Sequence, residues 1–249
     1  MLIAAFLAAL FLLPRLALAG VAALLVGAGG HEWGRLCRMG NASSWLYGSA
    51  MAIVFAAAYA ADERIARATF VAASLFWILV APIWLARGLR SEHRIGLAAA
   101  GLLVLVPAAL ALVILRPQNV IQVLLLVWIA DTAAYFVGRA WGQRKLAPSI
   151  SPGKTWEGAW GGVAAAIAYA MIGGTFLLGT VWWLSLFLVG VMLAVISIVG
   201  DLFESAAKRQ AGVKDSGALL PGHGGILDRV DSATAVLPVA ALLLSLPNP

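Results

Sequence analysis

Residues 181–209 read VWWLSLFLVGVMLAVISIVGDLFESAAKR, and no charged residue occurs before Asp201. A hydrocarbon layer roughly 30 Å thick takes about 20 helical residues to cross, so the stretch predicts a transmembrane helix over 181–204. Asp201 closes its apolar run. Asp201, Glu204, Ser205 and Lys208 recur at three- and four-residue spacing and share one helical face. That face directs two carboxylates, a hydroxyl and an ammonium at one place.

The apolar half of this pattern recurs along the chain. Of 249 residues, 63% are apolar and 11% charged, with a mean hydropathy of +0.96, whereas soluble domains are about half apolar and about a quarter charged. Apolar runs predict helices over 2–13, 16–29, 45–61, 68–86, 95–115, 119–139, 159–178, 181–204 and 232–247. The expected fold is an all-α polytopic integral membrane helix bundle of about nine transmembrane helices, without a soluble domain. Eight is the alternative, because Pro14 and Arg15 split the first run into pieces short for a span. Residues 1–118 would supply N-terminal transmembrane helices, and 119–249 a C-terminal transmembrane region carrying the chemistry. Ala17-Leu18-Ala19 imitates a signal-peptidase site, but no basic segment precedes the apolar run, so it is read as membrane helix.

The net charge of +6 does not imply nucleic acid, since the basic residues lie between apolar runs and form no continuous patch. With nine spans, 13 of the 17 basic residues fall on one side: Arg35, Arg38, Arg87, Arg90, Arg94, Arg139, Arg144, Lys145, Lys154, Lys208, Arg209, Lys214 and Arg229. The positive-inside bias then places loops 31–44, 87–94, 140–158 and 205–231 in the cytoplasm and the C-terminus outside. The single Cys37 excludes an intrachain disulfide, and the three histidines show no metal-ligand spacing, so no zinc site is expected.

Five of the 11 acids, Asp201, Glu204, Asp215, Asp228 and Asp231, fall within residues 201–231. Charge beside a bilayer is costly unless paired or hydrated, so this density implies a polar cavity. For Lys214 and Asp215 alone, a solvated loop is an equal reading. Asp228 and Asp231, three apart at the entrance to the last helix, suit a divalent cation that prefers oxygen ligands, although either alone would suit a helix N-terminus. Between them and Lys208 lies Pro221-Gly222-His223-Gly224-Gly225, whose glycines allow backbone N–H groups to wrap an anion. The segment Ser149–Gly158 contains Gly153-Lys154-Thr155, but Pro148 stands where a phosphate-binding loop needs its first glycine. Lys154 neutralises a phosphate or touches lipid headgroups. Asp131 lies inside an apolar helix with Tyr135 and Arg139 on its face, a candidate site residue unless it pairs with Arg139. Gly138 with Gly142, and Gly158 with Gly162, predict close helix packing. His31, Glu32 and Trp33–Arg35 read as an interfacial anchor, and His93 as part of a basic loop; neither receives a role.

Taken together, Ser205-x-x-Lys208-Arg209, Lys214-Asp215 and Leu220-Pro221-x-His223-Gly224-Gly225-Ile226-x-Asp228-Arg229-Val230-Asp231 resemble the signature of the phosphatidate cytidylyltransferases. The similarity extends back through Gly200-Asp201, the Ser-Pro-Gly-Lys-Thr-Trp-Glu-Gly segment and Asp131 with Tyr135-Phe136-x-Gly138-Arg139, covering roughly 125–235. The N-terminal half is similar only in character. Ala207 and Ala133 depart from the family's usual residues, and the N-terminus is short. The resemblance implies transfer of the cytidylyl group of CTP to phosphatidate, with Mg²⁺ required and room for a second cation. It implies Asp201, Asp228 and Asp231 as metal ligands, and Lys208, Arg209, Asp228, Arg229 and Asp231 as catalytic residues. Substrate contacts fall to Asp131, Lys154, Ser205, Lys214, Asp215, Gly222, His223, Gly224 and Gly225. The implied setting is the bacterial inner membrane with a cytoplasmic active site and a homodimer. The rivals are a polyprenol kinase-like enzyme, an archaeal-lipid cytidylyltransferase and, less in keeping with charge gathered at one end, a transporter.

Overall fold

The computed structural model of the chain describes residues 2–89, 94–178, 182–217 and 224–245. In lipid every backbone N–H and C=O must be satisfied within the chain, which leaves helices as the solution for the apolar runs. They form α1 (Leu2–Leu12), α2 (Arg15–Leu36), α3 (Asn41–Ala60), α4 (Glu63–Leu75), α5 (Ala81–Arg87), α6 (Arg94–Ile114), α7 (Pro117–Trp141), α8 (Trp156–Leu178), α9 (Trp183–Ala211) and α10 (Asp231–Leu244). A π-helical turn, Phe76–Val80, joins α4 to α5. Pro82 explains it: proline lacks an N–H and would clash with the carbonyl four residues back, and the wider turn relieves both problems.

With α4 through α5 counted as one run, the described residues hold nine helical segments, as the apolar pattern predicts. Six are long and apolar enough to cross a membrane. α1, with 11 residues, is roughly 16 Å long at 1.5 Å per residue and too short to cross. Pro14 separates it from α2. Large apolar side chains remain exposed on the outer surface, among them Leu24 at 76%, Leu46 at 73% and Leu184 at 71%. Lipid, not water, is the solvent that tolerates them. Exposed tryptophans mark both ends of the α8–α9 region, with Trp141, Trp156 and Trp160 at one end and Trp182 and Trp183 at the other, as membrane interfaces favour.

α2 packs along α3 and α6, α7 along α8, and α9 between α8 and α10. α10 also lies against α4, α6 and α7, so helices from before and after residue 118 share one core. Because lipid removes the hydrophobic drive between helices, close backbone approach matters. A Cβ at Gly158 would lie 2.7 Å from the Ala134 carbonyl oxygen, and one at Gly138 would lie 2.9 Å from Thr155 Oγ1. The glycine pairs of the sequence therefore serve the α7–α8 contact within the chain.

Three segments differ from expectation. α2 continues through His31, Glu32 and Trp33 to Leu36, and α9 through the charged face to Ala211; both helices persist past the first polar residue because their ends are tied to other segments. The loop expected over 140–158 contains an antiparallel hairpin, β1 (Lys145–Ala147) and β2 (Ser151–Thr155), with Lys145 opposite Thr155 and Ala147 opposite Ser151.

Candidate active site

Four polar segments meet at one end of the bundle: the end of α2, the hairpin, the end of α9, and the residues preceding α10. Arg38 donates from Nη2 to the Gln210 carbonyl at 2.8 Å, and Gln210 Nε2 donates to the Leu36 carbonyl at 2.7 Å. Arg209 Nε donates to the Ile150 carbonyl at 3.2 Å, holding the hairpin turn against α9. Glu157 accepts from the N–H groups of Gln143 and Arg144 at 3.1 and 3.2 Å and fixes the base of the hairpin. At the opposite end, Arg67 donates to the Ser245 carbonyl at 2.7 Å.

The α9 face forms as its spacing predicts. Lys208 Nζ lies 3.1 Å from Glu204 Oε1, one turn earlier, and 2.7 Å from Asp228 Oδ1. Glu204 is only 4% exposed, so Lys208 supplies the compensation that a buried carboxylate requires. On the neighbouring turn Lys154 of β2 contacts Asp201, whose Oδ1 accepts from Ser205 Oγ at 3.3 Å. Asp231 opens α10 within electrostatic reach of Asp201, Lys154 and Lys208. Asp131 stands exposed on α7 at the edge of the cluster, where the charges of Asp201 and Lys154 act on it. It does not pair with Arg139, which instead donates to Tyr135 Oη at 2.9 Å.

Beneath this layer Phe203, fully buried, is ringed by Trp33, Phe76, Trp77 and Trp84 at centroid distances of 5.4 to 6.4 Å. The π-helical turn delivers two of these rings. The cluster anchors α9 to α2 and to the α4–α5 run one residue before Glu204.

Asp228 sits in the short 3₁₀ turn Leu227–Arg229. Besides Lys208 it accepts from the Ser216 N–H at 3.0 Å and the Gly225 N–H at 2.9 Å, and Ser216 Oγ, whose one proton goes to Glu32, lies 3.1 Å from its Oδ2. Burial alone would raise its pKa, but Lys208 and the backbone donors outweigh burial and hold the carboxyl below the usual carboxylate range. Gly224 adopts φ +81°, a left-handed conformation that glycine reaches without strain. The N–H groups of Gly225, Ile226 and Leu227 are taken by the carboxylates of Asp228 and Glu32. Gly222 and His223 lie outside the described residues, as does His93. Lys214, Asp215, Arg209 and Arg229 are exposed around the cluster.

The residue that sequence reasoning missed is Glu32. It is 1% exposed and accepts from the Ser216 hydroxyl at 2.9 Å, the Ile226 N–H at 3.0 Å and the Leu227 N–H at 3.1 Å. Its neighbours Trp33 and Arg35 suggest an interfacial anchor; the signal that points to it is an acid at the end of an apolar helix, the same signal that Asp131 carries.

Among the described residues, five carboxylates (Asp131, Asp201, Glu204, Asp228 and Asp231) face two ammonium groups, Lys154 and Lys208. Carboxylates gathered in this way suit a cation. The oxygen-only donors fit a hard ion such as Mg²⁺, which is commonly held by one or two carboxylates together with substrate phosphates. Asp201 and Asp231 fit best, because Asp228 already accepts from three donors, Lys208 and the N–H groups of Ser216 and Gly225. Among the described residues no three His, Cys, Asp or Glu side chains form a self-sufficient metal cage.

A phosphatidate cytidylyltransferase of Pseudomonas aeruginosa is 41% identical over 242 residues, 89% of this chain and 87% of that protein. Proteins of the same name from Haemophilus influenzae and Brucella suis are 50% and 46% identical over 122 and 154 residues. Those matches cover 47% and 59% of this chain, and 42% and 56% of the respective relatives. The sequence profile of the cytidylyltransferase family matches residues 1–246. The chain belongs to the cytidylyltransferase family.

Proposed function

We propose that this protein transfers the cytidylyl group of CTP to phosphatidate, releasing pyrophosphate and forming CDP-diacylglycerol. The observation that carries the reading is the convergence of Lys154–Asp201 and Lys208–Glu204–Asp228 at one end of a membrane bundle, in a chain with the family's sequence over nearly its whole length. In the reaction an ionised oxygen of the lipid phosphate attacks the α-phosphorus of CTP. The bond from that phosphorus to the bridging oxygen breaks, and the electron pair leaves with pyrophosphate. The nucleophile is already charged near neutral pH, so positioning and charge neutralisation do most of the catalytic work.

Lys208 is aimed by Glu204 and Asp228 and neutralises the triphosphate, with Arg209 and Arg229 at the rim. Lys154 and Asp131 occupy the side nearer the lipid phosphate, with Ser205 fixing the orientation of Asp201. Lys214, Asp215 and the Gly222–Gly225 turn are assigned to nucleotide contacts. Asp201 and Asp231 would hold Mg²⁺, and the donor set favours Asp228 as the residue that orients Lys208. Bound there, the cation supplies neutralisation of phosphate charge.

We assign the site to the cytoplasmic face of a bacterial inner membrane, where CTP is available. Thirteen of 17 basic residues support that side, as does the meeting of Arg38, Lys154 and Arg209 at one end of the bundle. A homodimer is proposed on the family resemblance alone, since the glycine pairs are used between α7 and α8.

The test is purified protein in detergent with labelled CTP and Mg²⁺, offered phosphatidate, a polyprenol or an archaeal-type ether lipid. A labelled lipid product and pyrophosphate are expected with phosphatidate, and both should vanish when chelator removes the divalent cation. No product with phosphatidate would overturn the proposal.

A further inference from the structure

We infer that Glu32, on α2 and far in sequence from the catalytic cluster, is a positioning residue that sets Asp228, and through it Lys208, by gripping the backbone that carries them. The inference rests on the reading of Asp228 and Lys208 given above. The two N–H groups Glu32 accepts, from Ile226 and Leu227, belong to the residues immediately before Asp228. The hydroxyl it accepts belongs to Ser216, whose own N–H donates to Asp228. One carboxylate therefore holds both segments that hold the second carboxylate. Ser216 Oγ lies between them, 2.9 Å from Glu32 Oε2 and 3.1 Å from Asp228 Oδ2.

The surroundings are shaped for this grip. A Cβ at Gly217 would lie 2.6 Å from Glu32 Oε1, and one at Gly225 would lie 2.6 Å from Oε2. The backbone closes on the carboxylate at distances that only glycine allows. Leu227, 1% exposed, packs beside Gly29, about one turn earlier on α2. Trp33 Nε1 donates to the Leu97 carbonyl at 2.8 Å and pins the next residue of α2 to α6.

The chemistry required of residue 32 is specific. Oε1 faces the N–H of Ile226, while Oε2 faces the N–H of Leu227 and the Ser216 hydroxyl. A carboxylate accepts at both oxygens. An amide of the same shape accepts at one position and turns an NH₂ donor against a backbone donor at the other. Packing alone would not discriminate between the two.

The experiment compares Glu32→Gln, Glu32→Asp, Ser216→Ala and Asp228→Asn in the full chain, by steady-state kinetics and thermal unfolding in detergent. Glu32→Gln should lower kcat about 10- to 100-fold, the range for partners that orient a reactive group, with little change in the phosphatidate KM. Glu32→Asp, which keeps two acceptors, should be more active than Glu32→Gln; a packing role would reverse that order. Wild-type kcat in Glu32→Gln, or activity in Glu32→Gln equal to or above that in Glu32→Asp, overturns the inference. Should Glu32→Gln not fold, Ser216→Ala decides: a several-fold fall in kcat supports the relay, and an unchanged kcat overturns it. Full activity in Asp228→Asn would overturn both the role of Asp228 and the inference built on it. Loss in Asp228→Asn together with full activity in Glu32→Gln overturns the inference alone.

Discussion

The ends of α9 and α2 each bury an acid at the same end of the bundle, and they stabilise it by different means. Glu204 on α9 has a cation one helical turn later, Lys208 at 3.1 Å, and shares it with Asp228. Glu32 on α2 takes neutral donors instead, two backbone N–H groups and a hydroxyl from residues 216–227. The α9 arrangement is electrostatic, a carboxylate against an ammonium. The α2 arrangement is geometric and fixes where the first one points. A reactive charge is thus set on a long helix and aimed from another part of the chain.

The largest effect that would break this contrast is removal of the shared cation. Lys208→Met should destabilise the protein by about 3–5 kcal/mol, because breaking a buried pair leaves uncompensated charge, and it should abolish product formation. Chemical unfolding in detergent reads the first effect and labelled CTP the second. On the α2 side, Trp33→Phe keeps the ring near Phe203 but removes the indole donor to the Leu97 carbonyl, which retains its helical partner; a loss of about 0.5–1.5 kcal/mol is expected in the same unfolding measurement.

Acidification sharpens the comparison further. The Asp228 carboxyl is held below its ordinary pKa by Lys208 and backbone donors, despite burial that acts the other way. Its contribution to stability is therefore fully present above the unfolded value of about 3.9 and is lost as pH falls through the lower folded value. The difference in unfolding midpoint between wild type and Asp228→Asn should stay constant from neutral pH to about pH 5 and shrink below about pH 4. The smallest effect belongs to the exposed tie between the two helix ends. Arg38→Ala, which removes the contact to Gln210, should change stability by less than about 0.5 kcal/mol and leave kcat unchanged.

What could be read from the sequence follows the range of each interaction. Asp201, Glu204, Ser205 and Lys208 could be placed on one face because helical periodicity fixes their relation within two turns. Lys208 with Asp228, 20 residues apart, and Lys154 with Asp201, 47 apart, depend on tertiary closure that no local period encodes. Glu32 lies 184 residues from Ser216, and its neighbouring Trp33 and Arg35 describe an ordinary membrane interface. Apolar runs end before the polar ends of α2 and α9, because these helices continue past the apolar layer and are held there by partners such as Gln210 and Ser216. The hairpin over 145–155 was hidden by Pro and Gly, which mark a turn without showing that its flanks pair. The π-helical turn has a local cause in Pro82, visible in the sequence once α4 and α5 are seen as one helix.

We assign cytidylyl transfer to the lysine–carboxylate cluster. The most direct test of that assignment is the rate of labelled CTP incorporation into phosphatidate by Asp201→Asn, measured beside its thermal unfolding midpoint. The expected result is a fall in kcat of at least about 100-fold, as for loss of one preorganised charge at a reacting centre, with the midpoint retained. Wild-type kcat in a folded Asp201→Asn protein would contradict it.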